Sequence, residues 1–299
     1  MKILITGGTG FIGRRLCRLL VDRNHSLTVL SRNPAAGAGI VGDGIDFISD
    51  LDTLTPADRF DAIINLAGAP IFAGRWTERR KQLIRDSRIQ TTAKLIAFIE
   101  RSAQKPAVLI SGSAVGYYGD QGDTLLDEAS TGHDEFSHQL CRDWEAEAER
   151  ARQYGVRVCL LRTGLVIGEG GGFLRPMLLP FRLGLGGRLG SGKQWMSWIH
   201  IEDHVAMVCT LLENPDLKGI FNATAPNPVT NREFTRTLAH LLRRPALLPV
   251  PAGVLRLLLG EMSDLLLGGQ RVLPARFQQA GFQFRYPELE PALRQAILK

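Results

Sequence analysis

Residues 7–13 read Gly7-Gly8-Thr9-Gly10-Phe11-Ile12-Gly13, and they follow a short apolar run, Ile3–Thr6, that has the length of a buried strand. After this turn, apolar residues recur at helical spacing, at Ile12, Leu16, Leu19 and Leu20. A glycine-rich turn between a strand and a helix lets the backbone approach a pyrophosphate, whose charge is stabilised by the first N–H groups of the helix. The sequence therefore predicts a dinucleotide site whose contacts are Gly7, Gly10, Phe11, Ile12 and Gly13.

The end of the next strand candidate indicates which dinucleotide binds. This strand, Leu27–Leu30, is followed by Ser31, Arg32 and Asn33 and not by a carboxylate. An acidic side chain at this point would hydrogen-bond the ribose 2′-hydroxyl of NAD and repel a phosphate. Ser31 and Arg32 instead offer a hydroxyl and a cationic fork for the 2′-phosphate of NADP. We therefore expect NADP(H) as the cofactor; the alternative is an Arg32 that only points into solvent.

Strand and helix patterns alternate through the first half of the chain. Helical spacing recurs between the short apolar runs, and right-handed crossovers would place such helices on both faces of a parallel sheet. The sequence thus predicts an α/β fold of the Rossmann type, with a doubly wound parallel sheet. The strand candidates are Ile3–Thr6, Leu27–Leu30, Asp61–Leu66, Val108–Ser111 and Val156–Arg162.

The pattern changes in the second half. Residues 168–192 are rich in glycine, which is typical of a lid or a binding loop. Residues 198–201 have the pattern of a return to the sheet, residues 202–213 that of a helix, and residues 222–299 contain further helical patterns with proline breaks. We predict two lobes: an NADP-binding Rossmann domain over 1–166 and 199–221, and a smaller, mainly helical substrate lobe over 167–198 and 222–299.

Composition argues against several other classes of protein. The chain has 299 residues and a formal net charge of +6, but its basic residues are scattered, so a nucleic-acid partner is not expected. The four cysteines lie far apart without metal-ligand spacing, which predicts reduced thiols and no metal site. No signal-peptide pattern is present, and the apolar stretch 247–260 is too short and too interrupted to span a bilayer. We expect a cytoplasmic protein with no membrane partner.

Several segments resemble the extended, epimerase-like branch of the short-chain dehydrogenase/reductase superfamily. The resemblance begins with the glycine-rich turn and continues in order through residue 213. Residues 181–187, Trp144-Glu145 and residues 267–274 are similar to a narrower group within it, the YfcH-like epimerase family proteins. The segments that carry the wider resemblance are Asn65-Leu66-Ala67-Gly68, Ser111-Gly112-Ser113, Tyr117-Tyr118-Gly119-Asp120, Leu161-Arg162-Thr163-Gly164-Leu165-Val166 and Trp198-Ile199-His200-Ile201-Glu202-Asp203.

This resemblance implies further cofactor contacts. Leu66 and Ala67 match the family segment that passes over the adenosine side of the cofactor, and Val166 matches a position whose backbone can contact the nicotinamide amide. Arg88 lies where extended members usually have asparagine, and a cation there could reach the cofactor phosphates. A surface arginine in a basic helix is the alternative reading of Arg88.

The resemblance also implies a catalytic apparatus that this chain lacks. The superfamily uses a tyrosine followed four residues later by a lysine, whose charge makes the phenol a usable acid or base. Phe136 and Leu140 are the expected occupants of these positions, and none of the four tyrosines is followed by lysine at this spacing. Ser113 remains to hold a substrate oxygen, and Tyr117 is the candidate proton donor, although a packing role is the plainer reading of this tyrosine.

Two functions are therefore compatible with the sequence. The first is an atypical NADP-dependent oxidoreductase or epimerase that acts on an unidentified small molecule, with Ser113 and Tyr117 as catalytic residues. The second is a non-catalytic NADP(H)-binding protein that regulates a partner. The glycine-rich loop and the second lobe favour the enzyme, whereas the missing tyrosine and lysine favour the sensor. Substrate identity and oligomeric state do not follow from the sequence.

Overall fold

The computed structural model describes residues 1–297, which form an α/β protein built on one large parallel sheet. The strands are β1 Lys2–Thr6, β2 Ser26–Leu30, β3 Ile45–Ile48, β4 Ala62–Asn65, β5 Val108–Ala114, β6 Leu125–Leu126, β7 Arg157–Thr163, β8 Leu165–Ile167, β9 Trp195–Met196, β10 Trp198–His200, β11 Gly219–Ala223, β12 Val229–Thr230 and β13 Arg271–Val272. The helices are α1 Phe11–Asp22, α2 Pro34–Val41, α3 Glu78–Arg101, α4 Phe136–Glu149, α5 Leu174–Arg182, α6 Ile201–Glu213, α7 Asn231–Leu242, α8 Ala252–Leu259, α9 Asp264–Leu267, α10 Ala275–Gln279 and α11 Leu289–Ile297.

Seven strands form the large sheet in the order β3-β2-β1-β4-β5-β7-β11, and every pairing between them is parallel. The chain winds from β1 toward β3 and then returns to continue from β4 in the other direction. This reversal opens a crevice between β1 and β4 at the carboxyl ends of the strands, where ligands bind in doubly wound sheets. The predicted Rossmann-type α/β fold is confirmed.

The prediction that residues 198–201 return to this sheet is wrong. Strand β10 pairs in parallel with β8, and these two strands form a separate small sheet. Gly164 lies between β7 and β8, where a Cβ atom would come within 2.4 Å of the Ser197 carbonyl oxygen. The chain leaves the large sheet at this close approach, and β11 takes the edge position beside β7 instead.

The sheet is buried on both faces. One apolar cluster includes α1 and α6, and a second lies on the opposite face beneath α3. A third cluster belongs to the C-terminal half and joins α5, α7 and α11 to β8 and β10. The C-terminal part is mainly helical, and the two-lobe boundaries given above stay a prediction. Among the helices of residues 1–297, none combines the length and apolarity needed to cross a bilayer.

One buried histidine makes stability depend on pH. His204 of α6 is fully buried and meets only Thr163 Oγ1, 3.0 Å from Nε2, while its Nδ1 has no partner among the described residues. Burial lowers the pKa of His204 to about 4, whereas the unfolded value is about 6.5. The unfolded chain therefore binds the extra proton first, so stability is complete above about pH 6.5 and falls toward pH 4.

We expect His204 to cost about 2 kcal/mol of unfolding free energy between pH 7.5 and pH 5, because over this range the unfolded chain takes up the proton while the folded protein, with a pKa of about 4, does not. Urea unfolding of wild type and His204→Gln at both pH values measures the difference. The control is His133→Gln, because His133 is mostly exposed. Equal pH dependence in wild type and His204→Gln would contradict the assignment.

Candidate functional site

The glycine-rich turn fits tightly between β1 and β4. Gly7 has a φ of +71°, and a Cβ atom on it would lie 2.5 Å from the carbonyl oxygen of Leu66. A Cβ atom on Gly13 would lie 2.2 Å from the carbonyl oxygen of Gly7, so α1 packs directly on the turn. Gly10 differs from both, because within residues 1–297 the only atom within 4 Å of such a Cβ, its chain neighbours aside, is the Gly7 carbonyl oxygen, at 3.2 Å. The protein therefore leaves space over Gly10, on the side from which a ligand would approach.

The start of α1 can receive an anion. Gly10 is the cap residue of this helix, makes no side-chain capping bond, and is followed by no acidic residue in the first turn. The N–H groups of Phe11, Ile12 and Gly13 are thus helix-terminal donors that no capping side chain satisfies. Together with the positive end of the helix dipole, they fit a pyrophosphate group. These residues agree with the predicted dinucleotide site, and their contacts with a cofactor stay a prediction.

Phe11 connects this turn to the glycine-rich loop of the second half. Cβ atoms on Gly171 or Gly172 would lie within 3 Å of the Phe11 ring. The loop backbone can therefore pack against this ring only because these two residues have no side chains. Arg14 also donates a hydrogen bond to the carbonyl oxygen of Gly170, at 3.2 Å. The sequence predicts a role for the loop but not this contact, which joins residues from opposite halves of the chain.

Ser31 and Arg32 lie at the carboxyl end of β2, on the expected side of the crevice. The hydroxyl of Ser31 donates to the carbonyl oxygen of Asn33 at 3.0 Å and accepts from the Asn33 N–H at 3.3 Å, so it shapes the turn. Arg32 is exposed and forms no ion pair or hydrogen bond with residues 1–297. Its guanidinium group is therefore available to an anionic ligand at this end of the sheet.

A buried polar network supports the crevice from below. Asn65, the last residue of β4, accepts a 2.6 Å hydrogen bond from Thr6 and donates to Thr92 at 2.8 Å and to Ser111 at 3.2 Å. These bonds tie β1, β4 and β5 to α3. They fix the backbone of the next two residues, Leu66 and Ala67. The N–H of Ala67 donates to Thr6 Oγ1 at 3.3 Å. Leu66 and Ala67 thus border the crevice opposite the glycine-rich turn.

Arg88 of α3 holds the loop that follows β4. Its guanidinium group donates to the carbonyl oxygens of Ile84 at 3.0 Å and Ala69 at 3.2 Å, and it lies 5.3 Å from the ring centroid of Trp144. Burial lowers the pKa of Arg88. No carboxylate pairs with it in the described part of the chain. The structure places this cation beneath the crevice loop, and its reach to the cofactor phosphates stays a prediction.

Ser113 belongs to a buried ionic cluster that the sequence does not reveal. Its hydroxyl donates a 2.6 Å hydrogen bond to Glu145 of α4. Glu145 in turn forms a bidentate ion pair with Arg162 of β7, with both N–O distances 2.8 Å. Burial opposes the charge on Arg162, but the hydrogen bonds and the charge of Glu145 raise its pKa above the ordinary value. The register that aligns Ser113 with Arg162 on neighbouring strands is the signal that could have found this cluster.

Two tyrosines cover the ion pair. The guanidinium carbon of Arg162 lies 3.3 Å from the ring centroid of Tyr117, so the cation stacks on the half-buried phenol. Tyr118 is fully buried and donates a 2.7 Å hydrogen bond to Asn222. Burial raises the pKa of Tyr118 to about 12, which keeps its phenol protonated. Tyr117 is thus the less buried of the two tyrosines, and its predicted role as a catalytic residue stays a prediction.

The facing helix supplies no proton donor of the usual kind. Leu140 is buried, and Phe136 packs edge-on against Trp76 at a centroid distance of 4.9 Å. Besides Glu145, α4 places Cys141 next to Ser113, and burial raises the pKa of Cys141 to about 11, so that its thiol is neutral. In residues 1–297 no cluster of His, Cys, Asp or Glu has the arrangement of a metal site. The chemistry of this site therefore differs from that of a tyrosine–lysine pair.

Val166 lies in β8, directly before the glycine-rich loop. Its carbonyl oxygen accepts a 3.0 Å hydrogen bond from the N–H of Phe173. A Cβ atom on Gly172 would come within 2.3 Å of the same oxygen. The loop therefore folds back over Val166, and a contact between this backbone and the nicotinamide amide stays a prediction.

Comparison with known proteins agrees with this arrangement. The sequence pattern of the NAD dependent epimerase/dehydratase family matches residues 3–224. The chain belongs to this family. The family assignment, like the resemblance to extended short-chain dehydrogenases, is thereby confirmed. A second pattern, that of a domain of unknown function (DUF1731), matches residues 250–296.

Individual family members are similar along the whole chain. The epimerase family protein YfhF of Bacillus subtilis is 40% identical over 99% of this chain and 98% of its own length. The chloroplastic SDR39U1 homologue of Arabidopsis thaliana is 41% identical over 98% of this chain and 86% of its own length. A crystal structure of the human epimerase family protein SDR39U1 (isoform 2) with NADPH superposes with a TM-score of 0.91, at 36% identity and full coverage of both chains. NADPH is also the cofactor predicted above for this chain.

Proposed function

We propose that this family member binds NADP(H) in the crevice between β1 and β4 and acts as an atypical oxidoreductase or epimerase on a small molecule. The observation that carries the proposal is the open, uncapped start of α1 above Gly10, with the unpaired cation of Arg32 at the end of the neighbouring strand. The human relative crystallised with NADPH supports the choice of cofactor. A chloroplastic relative leaves the cytoplasmic location a prediction.

Different residues of the crevice contact different parts of the cofactor. The N–H groups at the start of α1 would hold the pyrophosphate, Arg32 would pair with the 2′-phosphate, and Leu66 and Ala67 would border the adenosine side. The bound cofactor supplies or accepts a hydride. Ser113 orients a substrate oxygen through its hydroxyl, and Tyr117 holds the proton that balances the transfer.

We expect NADPH to bind more tightly than NADH, and Arg32→Ala to remove most of that difference. A charge-assisted contact contributes roughly 1.5–3 kcal/mol, which is about tenfold to a hundredfold in affinity. Fluorescence titration of both cofactors against both proteins measures it. The matched control is Arg59→Ala, an exposed arginine that precedes β4 at the opposite end of the sheet. Equal affinity for the two cofactors in wild type would overturn the NADP assignment.

The catalytic half of the proposal predicts NADPH-consuming turnover with some member of a carbonyl library. Ser113→Ala should lower that turnover about a hundredfold, the scale seen when one positioned donor is removed. Tyr117→Phe should lower it in a pH-dependent way, because a phenol that carries the proton is lost. The control Tyr154→Phe changes a tyrosine directly before β7, at the amino end of the sheet. Turnover that survives Ser113→Ala unchanged would contradict the assigned role.

One observation favours a second function. The Ser113 proton is already directed at Glu145, the neighbouring Cys141 thiol is neutral, and Phe136 and Leu140 are the expected occupants of the tyrosine and lysine positions, so none of these groups supplies a proton to a substrate. The same crevice would then serve as an NADP(H) sensor that controls a partner. Tight NADPH binding without turnover across the whole carbonyl library would favour this second function.

A further inference from the structure

A recess lies in the C-terminal part of the protein, away from the cofactor crevice. It has a volume of about 290 Å³ and opens to solvent. None of the residues predicted to bind the cofactor lines it. Its wall consists of three arginines, one threonine and four apolar residues: Arg188, Arg232, Arg236, Thr235, Ala239, Ala246, Leu247 and Pro249.

Helix α7 provides one side of this recess. Arg232 lies three and four residues before Thr235 and Arg236, and Ala239 lies three and four residues after Arg236 and Thr235, which places the four on one helix face. Both arginines are exposed, and neither makes an ion pair or a side-chain hydrogen bond within residues 1–297. Two like charges on adjacent turns repel each other, so an anion between them would be stabilised by both.

The opposite side is a loop that is fixed to α7 before any ligand arrives. The Arg232 N–H donates to the carbonyl oxygen of Gly192 at 2.9 Å, and Asn231 accepts a 2.8 Å hydrogen bond from the Leu189 N–H. A Cβ atom on Gly192 would lie 3.3 Å from both the Arg188 and the Arg232 Cβ atoms. The side chains of Arg188 and Arg232 therefore leave the backbone close to each other, and little ordering is required to bring their charges together.

Thr235 shows that the recess is more than a group of solvated arginines. The residue is only 4% exposed, and its hydroxyl has no hydrogen-bond partner among the described residues. A buried hydroxyl without a partner destabilises a fold, so native proteins rarely retain one without a reason. Thr235 lines the recess beside Arg232 and Arg236, and its hydroxyl is covered in the free protein, so an anion that displaces the covering side chains would give this hydroxyl an acceptor.

We infer that this recess is a binding site for the phosphate group of a small organic phosphate. Three guanidinium donors and one hydroxyl match the acceptor oxygens of a phosphate dianion. The apolar side of the wall, formed by Ala239, Ala246, Leu247 and Pro249, suits the organic part of the molecule. The volume equals that of on the order of ten water molecules, which is more than a bare phosphate requires.

The test uses the full-length protein and phenyl phosphate as the probe, followed by calorimetry and by ³¹P NMR. Saturable binding is expected, and Arg232→Ala with Arg236→Ala should weaken it by roughly tenfold to a hundredfold for each guanidinium removed. Arg244→Ala is the matched control, because this exposed arginine precedes the wall segment but does not line the recess. If phenyl phosphate bound at the cofactor crevice instead, Arg32→Ala would weaken its binding. We expect Arg32→Ala to leave the affinity for phenyl phosphate unchanged.

Thr235→Val gives a signature that a purely structural threonine would not give. Replacing the unpartnered hydroxyl with a methyl group should raise the melting temperature of the free protein and, at the same time, weaken phenyl phosphate binding. The proposal is overturned if binding is absent, if it depends on Arg32 and not on the three recess arginines, or if Thr235→Val leaves the affinity unchanged. Tighter binding of benzoate than of phenyl phosphate would overturn the choice of phosphate.

Discussion

Gly10→Val should abolish cofactor binding while the protein stays folded. The Cβ atom would meet only the Gly7 carbonyl oxygen, at 3.2 Å, and the Gly10 backbone is extended, so the protein itself can accommodate the substitution. The isopropyl group would instead fill the space in which pyrophosphate meets the first N–H groups of α1. Loss of two charge-assisted hydrogen bonds lowers affinity by a factor on the order of 10³.

NADPH titration together with circular dichroism separates this effect from unfolding. Gly39→Val is the matched control, since a Cβ atom on Gly39 of α2 meets nothing within 4 Å. Its cofactor affinity should equal that of wild type. If Gly10→Val binds NADPH as wild type does, with an unchanged spectrum, the cofactor does not lie at this turn.

Glu145→Ala should cause the largest loss of stability among the substitutions considered. The change leaves the Arg162 guanidinium buried without its carboxylate and leaves Ser113 without its acceptor. Breaking one partner of a buried ion pair costs about 3–5 kcal/mol, because an uncompensated charge stays in the interior. Urea unfolding monitored by tryptophan fluorescence measures the loss.

A surface ion pair provides the control for Glu145. Glu290 and Arg294 of α11 form a pair one helical turn apart, with side chains 50% and 56% exposed. Glu290→Ala should change the unfolding free energy by less than about 0.5 kcal/mol, since exposed pairs are screened by water and salt. Similar losses in Glu145→Ala and Glu290→Ala would show that the buried cluster does not stabilise the protein as argued.

The parts of the fold that depend on local pattern were predictable from the sequence. The central strands, such as β1 and β4, are continuous apolar runs because helices cover both faces of the sheet. The two edge strands, β3 and β11, were not predicted. Strand β3 is mostly half-exposed, and β11 begins at a glycine with positive φ and contains the buried Asn222, so neither has a clear strand pattern.

Part of the candidate site was likewise predictable from the sequence, and part was not. The glycine-rich turn is a continuous stretch of chain, so its residues and spacing indicate the cofactor directly. The cluster of Ser113, Glu145 and Arg162 comes from two strands and a helix, and only the folded sheet brings these residues together. The position of Cys141 beside Ser113 does not follow from the family resemblance, which concerns Phe136 and Leu140 on the same helix.

The packing of Phe11 against Gly171 and Gly172 has a consequence for biosynthesis. Arg14 and Gly170, which form part of the same contact, lie 156 residues apart in the sequence. A ribosome makes the first βαβ unit long before it makes this loop, and contacts of such separation form late in folding. While only the N-terminal half has been synthesised, the loop that packs on Phe11 beside the glycine-rich turn is therefore absent. The turn is completed only when the second half of the polypeptide has been synthesised.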